Sequence, residues 1–223
     1  MHVHLPKPLH GWRAFVGEVG IIVLGVLIAL SADQAVEAFH WRESVSQTRD
    51  AMRAELAIDL KRVEVNLSQD PCIEARLDTI LRWTASTSAN SRIANAGRPR
   101  LANYHTSTWD ITKTSPVVGH FSLKEQLAYA SAYDAIANEQ RYLFDEQGNW
   151  TDLAATLASA DQPESRSQIE REVASARLHL ANREVNARLL LERLNDLGIK
   201  ADPHGLPGPV DIHQLCSPLN NRP

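Results

Sequence analysis

The longest run of apolar residues lies near the N-terminus, from Val19 to Ala32, and it holds no charged side chain. With Phe15, Val16 and Gly17 ahead of it, the segment approaches about 18 residues, or roughly 27 Å of helix, close to the thickness of a bilayer core. A helix that is apolar on every side needs either a large protein core or lipid around it. We therefore predict a transmembrane helix over residues 14–32.

A cleavable signal peptide is the main alternative for this segment. Lys7 and Arg13 would form its charged region, and the small residues of Ala29-Leu30-Ser31 its cleavage site. Against this, the acidic Glu18 stands at the start of the apolar run, and no Pro or Gly occurs between residues 26 and 70. The helical pattern therefore continues past the supposed cleavage site, which favours a retained anchor. A buried helix of a soluble protein is the third alternative.

One face of this helix carries a group of small or acidic residues, namely Glu18, Gly25, Ala29 and Ala32. Gly25 and Ala29 form a small-x-x-x-small pair, which lets a second helix approach closely. A carboxyl group near membrane depth usually faces a partner or the interface. The face predicts a helix–helix contact, either in a homo-oligomer or with another membrane protein. The alternative is that small residues are common in spanning helices and that Glu18 reaches headgroup water.

The residues that flank the apolar segment indicate its orientation. Lys7 and Arg13 lie close to it on the N-terminal side, where Trp12 suits an interfacial belt. We predict a cytoplasmic tail over residues 1–13 and a periplasmic helical bundle over residues 33–200. Residues 201–223 are rich in Pro and Gly and form a C-terminal tail.

Apolar positions beyond the anchor recur at spacings of three and four, which is the pattern of amphipathic helices. The first such stripe comprises Trp41, Val45, Thr48, Met52, Leu56, Leu60, Val63 and Leu67. Abundant Ala, Leu, Arg and Glu and few aromatic residues also favour helix over sheet. We predict an all-α protein in which the transmembrane helix continues into an antiparallel bundle of about four helices.

Local signals set the expected ends of these helices. Asp70 with Pro71 predicts the N-cap and first residue of a second helix, and Ser122 with Glu125 is a capping box. Gly198 is a natural C-cap for the last helix, which we expect to begin near Pro163. Residues 85–100 read as a loop, and Thr106 or Ser107 as the cap of a short helix with Trp109. Gly148 and Asn149 are expected to interrupt the helix that Ser122 starts.

The two cysteines, Cys72 and Cys216, lie far apart in the chain. In an exported domain an even pair usually forms a disulfide, which here would tie the C-terminal tail to the start of the second helix. Two free thiols in a reducing compartment are the alternative. The net charge of −4 includes no block of basic residues, so a nucleic-acid partner is not expected.

The sequence contains no motif for phosphate binding, zinc proteolysis, haem attachment or serine hydrolysis. His105, Asp110 and His120 are an acid/base group in principle, but such residues at helix ends are more often caps. His213 and Cys216, with Asp211 and His204, have metal-ligand types, yet a zinc site needs more convergent ligands, so we prefer the disulfide. The remaining carboxylates are expected on exposed helix faces. We assign no catalytic, cofactor or metal residue.

The stretch G-E-V-G-I-I-V-L-G-V-L-I-A-L, followed by D-Q-A-V-E-A-F-H-W-R, resembles the start of a group of uncharacterised bacterial inner-membrane proteins. The similarity is most specific from Gly17 to Arg42, and P-C-I-E-A-R-L-D and the C-terminal G-I-K…C-S-P-L add to it. The resemblance implies one anchor helix and a helical extracytoplasmic region. It implies no activity.

These observations favour a non-enzymatic membrane-anchored scaffold, accessory or sensing module that acts through helix–helix contacts. The expected partners are the lipid bilayer and either a second copy or another membrane protein. An alternative is a periplasmic small-molecule sensor, with a possible pocket near Tyr104, Trp109 and the 85–103 loop. A membrane-tethered enzyme of unknown class is the second alternative.

Overall fold

The computed structural model describes residues 11–86, 93, 96–159 and 163–205. These residues form five α-helices and one short 3₁₀ helix and include no β-strand, which confirms the all-α class. The helices are α1 (Trp12–Ser68), α2 (Asp70–Ala85), α3 (Ser107–Thr112), α4 (Leu123–Ala158) and α5 (Pro163–Asp196), and the 3₁₀ helix is Pro116–His120.

The chain divides between Gln47 and Thr48 into two compact units. In the first unit, the apolar part of α1 is exposed along its whole length. Among the described residues this is the one helix that is long and apolar enough to cross a membrane, by length and composition, and it lies near the N-terminus. The second unit contains the rest of α1, all the other helices and every side chain of the apolar core.

Only Gln69 separates α1 from α2, and its backbone is itself helical, with φ −84° and ψ −18°. Pro71 lies in the first turn of α2, where its missing N–H ends the hydrogen-bond ladder of α1. The prediction that Asp70 caps this helix is wrong: the cap is Gln69, and the Asp70 side chain instead pairs with Arg183 of α5. The chain therefore passes from α1 to α2 without the reversing loop of a helical hairpin.

Polar contacts give the relative directions of the long helices in the second unit. Thr156 of α4 pairs with Glu172 of α5, and Glu139 of α4 pairs with Asn186, so α4 and α5 are antiparallel. Arg49 pairs with Glu125, and further along α1 the Glu55 carboxylate accepts from Tyr133 Oη, so α1 and α4 run in the same direction.

A parallel pair arises because the segment between α2 and α4 carries the chain back along α1. We call residues 97–112 the strap; it comprises an extended stretch followed by α3. Gln69 bonds to the backbone of Arg100, Asn66 to that of Ala102, and Glu55 to that of Thr108. The strap therefore runs antiparallel to α1.

The core follows the predicted stripe of α1 in part. Met52, Leu56 and Val63 of α1 are fully buried, whereas the other members of its predicted stripe are only half-buried: Trp41, Val45, Thr48, Leu60 and Leu67. The largest buried apolar residues elsewhere are Ile73, Leu77, Ile80, Tyr133, Ile136, Leu143, Trp150, Leu153, Ile169, Val173, Leu190 and Leu194. The Ser122 capping box is present, and the last helix ends as predicted, with Gly198 in the left-handed conformation at φ +64°.

The predicted interruption at Gly148 and Asn149 is wrong, because α4 continues to Ala158. Trp150 and Leu153, directly after the glycine, are completely buried. Their packing outweighs the cost of a helical glycine, which is about 1 kcal/mol relative to alanine.

Two glycines give opposite expectations for alanine substitution. Gly148 is exposed and helical, and a Cβ added there meets nothing within 4 Å, so Gly148→Ala should raise the free energy of unfolding by about 0.5–1 kcal/mol. Gly198→Ala should lower it by about 1–2 kcal/mol, because its left-handed backbone is strained for any side chain. Urea unfolding followed by circular dichroism measures both. Equal shifts of the same sign would contradict this assignment.

Candidate functional site

The side of α1 that faces the strap is polar rather than apolar. Four residues of α1 and Gln69 just beyond its end form this side; they recur at spacings of four and three and are all at most 9% exposed: Glu55, Asp59, Arg62, Asn66 and Gln69. Buried polar groups cost free energy unless they are hydrogen-bonded. Each of these five side chains makes at least one hydrogen bond to the strap.

Glu55 lies at the junction of α1, α3 and α4. Its carboxylate accepts hydrogen bonds from Ser107 Oγ at 2.8 Å, from the Thr108 amide and hydroxyl at 3.0 Å, and from Tyr133 Oη at 3.0 Å. The Trp109 ring stacks on the Tyr133 ring, with centroids 5.4 Å apart and an interplanar angle of 6°. One carboxylate thus connects α3 to both neighbouring helices.

Asp59 holds the next part of the strap. Both carboxylate oxygens accept from the His105 amide at 3.1 Å, and one also accepts from Arg62 at 3.1 Å. Arg62 lies 2.8 Å from His105 Nδ1; because a guanidinium only donates, Nδ1 accepts and the ring proton is on Nε2. Partial desolvation of the ring, helped by Arg62, lowers the pKa of His105, although the residue as a whole is exposed. Burial raises the pKa of Asp59 to about 7.

Along the extended part of the strap, amide side chains supply the backbone hydrogen bonds that a neighbouring β-strand would otherwise provide. Asn66 accepts from the Ala102 amide at 2.7 Å and donates to the Ala102 carbonyl at 2.9 Å. Asn66 also donates to Tyr104 Oη, and Gln140 of α4 accepts from the Tyr104 amide at 2.7 Å. The amides of Ala102 and Tyr104 and the carbonyl of Ala102 are thereby paired with side chains rather than with a neighbouring strand.

A second buried cluster joins α2, α4 and α5 around Arg183. The guanidinium donates to Glu146 at 2.5 Å and to Asp70, and both Arg183 and Glu146 are completely buried. Burial raises the pKa of Asp70 to about 6, although Arg183 opposes the shift. Glu139 accepts from Asn186 at 2.8 Å, and burial raises its pKa to about 7.

The predicted pocket residues are both engaged in packing. Tyr104 is 7% exposed and bonded to Asn66, and Trp109 is stacked on Tyr133. A shallow cavity of about 350 Å³ lies elsewhere, on the surface between α2 and α5. It is lined by Asp70, Pro71, Glu74, Arg177, Leu180, Ala181 and Glu184.

The predicted acid/base residues do not share partners. His105 bonds to Asp59 and Arg62, whereas Asp110 is exposed and pairs with Thr106 and Lys113. No group of three or more potential metal ligands occurs in the part of the chain that the structure describes. His213, Asp211 and Cys216 lie outside the described residues.

The predicted transmembrane contact face is fully exposed in the single chain. Glu18, Gly25, Ala29 and Ala32 all lie on the exposed part of α1, and a Cβ at Gly25 would meet nothing within 4 Å. Cys72 lies in the first turn of α2 and is half-buried, while its predicted partner Cys216 is outside the described residues.

Comparison with known proteins gives no relative for this chain: no protein family matches, and no curated protein or solved structure is significantly similar.

Arg183 provides a sharp test of the second cluster. Arg183→Met should lower the free energy of unfolding by about 3–5 kcal/mol, because it leaves buried carboxylates without a counter-ion. Arg188→Met, five residues later on the same helix, should cause no measurable change, since its pair with Glu184 is exposed. Thermal unfolding of both variants and of the wild type measures these changes in stability. Similar melting temperatures for the two variants would show that the Arg183 cluster contributes no more to stability than an exposed ion pair does.

Proposed function

We propose that this protein is a non-enzymatic scaffold, accessory or sensing module that is anchored in a bacterial inner membrane and acts through helix–helix contacts. In this proposal residues 1–13 are cytoplasmic, residues 14–32 span the membrane, and the helical unit lies in the periplasm. The observation that carries the proposal is the contrast between an apolar helix with no buried residue and a helical unit whose core is closed by its own side chains.

The exposed apolar helix supports the membrane anchor. Ile21, Ile22 and Ile28 are each more than 60% exposed, and their neighbours along the segment are similarly open. A soluble monomer rarely exposes an apolar surface of this extent. A helix satisfies its own backbone hydrogen bonds, so lipid can cover this surface without further partners.

Two exposed faces support a role in helix–helix contact. The first is the small-residue face of Glu18, Gly25, Ala29 and Ala32. The second lies on α5, where exposed apolar side chains recur at helical spacing: Ala174, Leu178, Ala181, Val185 and Leu189. Exposed stripes of this kind are typical of surfaces that meet another helix.

The two alternatives have less support in the geometry. A small-molecule sensor near Tyr104 and Trp109 would need space that these side chains fill with internal contacts. An enzyme would need a reactive group in a cleft. The pKa values of Asp59 and Glu139 are raised by burial, but both side chains are completely enclosed at contacts between elements.

The test of the contact face uses the full chain in its native membrane. Gly25→Ile combined with Ala29→Ile should reduce chemical crosslinking to a second copy or to a co-purifying membrane protein severalfold, because larger side chains separate the two helices. Val23→Ile combined with Leu27→Ile, on the opposite face, is the matched control and should leave crosslinking unchanged. A protein that purifies in mild detergent alone and as a monomer would refute the proposal.

The proposed periplasmic location can be tested separately, through the proposed Cys72–Cys216 disulfide. Intact, non-reduced protein should resist a thiol-alkylating reagent under denaturing conditions, and reduction should make both cysteines reactive. Labelling of both thiols without reduction would argue for a reducing compartment and against the proposed topology.

A further inference from the structure

The strap is fastened through a cluster in which carboxylates outnumber cations. Asp59 is its central member, and the charged or titratable groups that face it come from three elements. They are Glu55 and Arg62 of α1, Tyr104 and His105 of the strap, and Tyr133 of α4. Asp59 is completely buried, so its charge is not screened by water.

Arg62 is the single cation among these groups, and it is shared between two partners. It bonds to Asp59 and, through the same nitrogen, to His105 Nδ1. His105 adds no second positive charge in this arrangement, because a ring whose Nδ1 accepts from Arg62 carries its proton on Nε2 alone and is neutral. If Glu55 and Asp59, one helical turn apart, are both ionised, one negative charge therefore remains uncompensated in the core.

We propose that the strap is a pH-dependent latch: it lies closed on α1 while Asp59 is protonated, and it opens when Asp59 loses that proton. Opening would separate Trp109 from Tyr133 and uncover the polar side of α1. This latch belongs to the helical unit alone and does not depend on the membrane anchor or on a partner.

The direction of the pH response follows from the linkage between protonation of Asp59 and closure of the strap. In the closed strap burial raises the pKa of Asp59 to about 7, above the ordinary value of 3.8 that an open, hydrated carboxyl would have. Protonated Asp59 therefore stabilises the closed state fully below the ordinary value, and this stabilisation is lost as the pH rises through about 7. Glu139, which accepts from Tyr104 of the strap and has a pKa raised by burial to about 7, acts in the same direction.

Hydrogen exchange measured by mass spectrometry on the full-length protein in detergent tests the latch. The protection of strap amides, including those of His105 and Thr108, is divided by that of buried α4 amides, which cancels the intrinsic effect of pH on exchange. Between about pH 5.5 and pH 8.5 this ratio should fall at least about tenfold in the wild type. Asp59→Asn should remove most of this fall and leave only the part that Glu139 contributes.

The matched control is Asp110→Asn, which removes an exposed carboxylate from the same strap and should respond to pH like the wild type. Glu55→Gln provides a second variant: once the neighbouring charge is removed, Arg62 balances ionised Asp59, so the fall of the ratio with rising pH should become smaller. A wild-type ratio that does not change with pH would overturn the proposal, and so would a folded Asp59→Asn protein that keeps the wild-type response. The wild-type measurement decides the question even if a variant fails to fold.

Discussion

The second unit depends on one constraint: a non-helical stretch of backbone lies within the bundle, and its amides and carbonyls must find hydrogen-bond partners there. Helices cannot supply them, because their own backbone groups are already paired. The partners come instead from polar side chains of α1: Asn66 bonds to both polar groups of the Ala102 backbone, and Asp59 accepts from the amide of His105. The polar side of α1 is therefore as necessary to the fold as its apolar side.

Much of the helical framework could be predicted from the sequence, because it is encoded locally. The spacing of Met52, Leu56 and Val63 gave the buried stripe of α1, and Ser122 with Glu125 gave the start of α4. The continuation of α4 through Gly148 could not be predicted in this way, since it depends on the burial of Trp150 by distant residues.

The buried carboxylates were the principal omission. Glu55 and Asp59 were expected on exposed faces, as isolated acids usually are, because nothing near them in the chain reveals the strap that covers them. Glu55, Asp59, Arg62, Asn66 and Gln69 repeat at spacings of four and three, as residues on one helix face do. The solvated face of an ordinary amphipathic helix has the same period, so this spacing alone does not reveal that the face is buried.

The cluster around Arg183 also bears on the order of folding. Its two acidic partners lie at very different distances along the chain, Glu146 at 37 residues and Asp70 at 113. The shorter loop costs less entropy to close, so the antiparallel pair of α4 and α5 has the advantage in forming first. Docking of α2 then completes the neutralisation of the arginine. The rate-limiting step of assembly should accordingly involve the arrival of the N-terminal helices on a hairpin that is already formed.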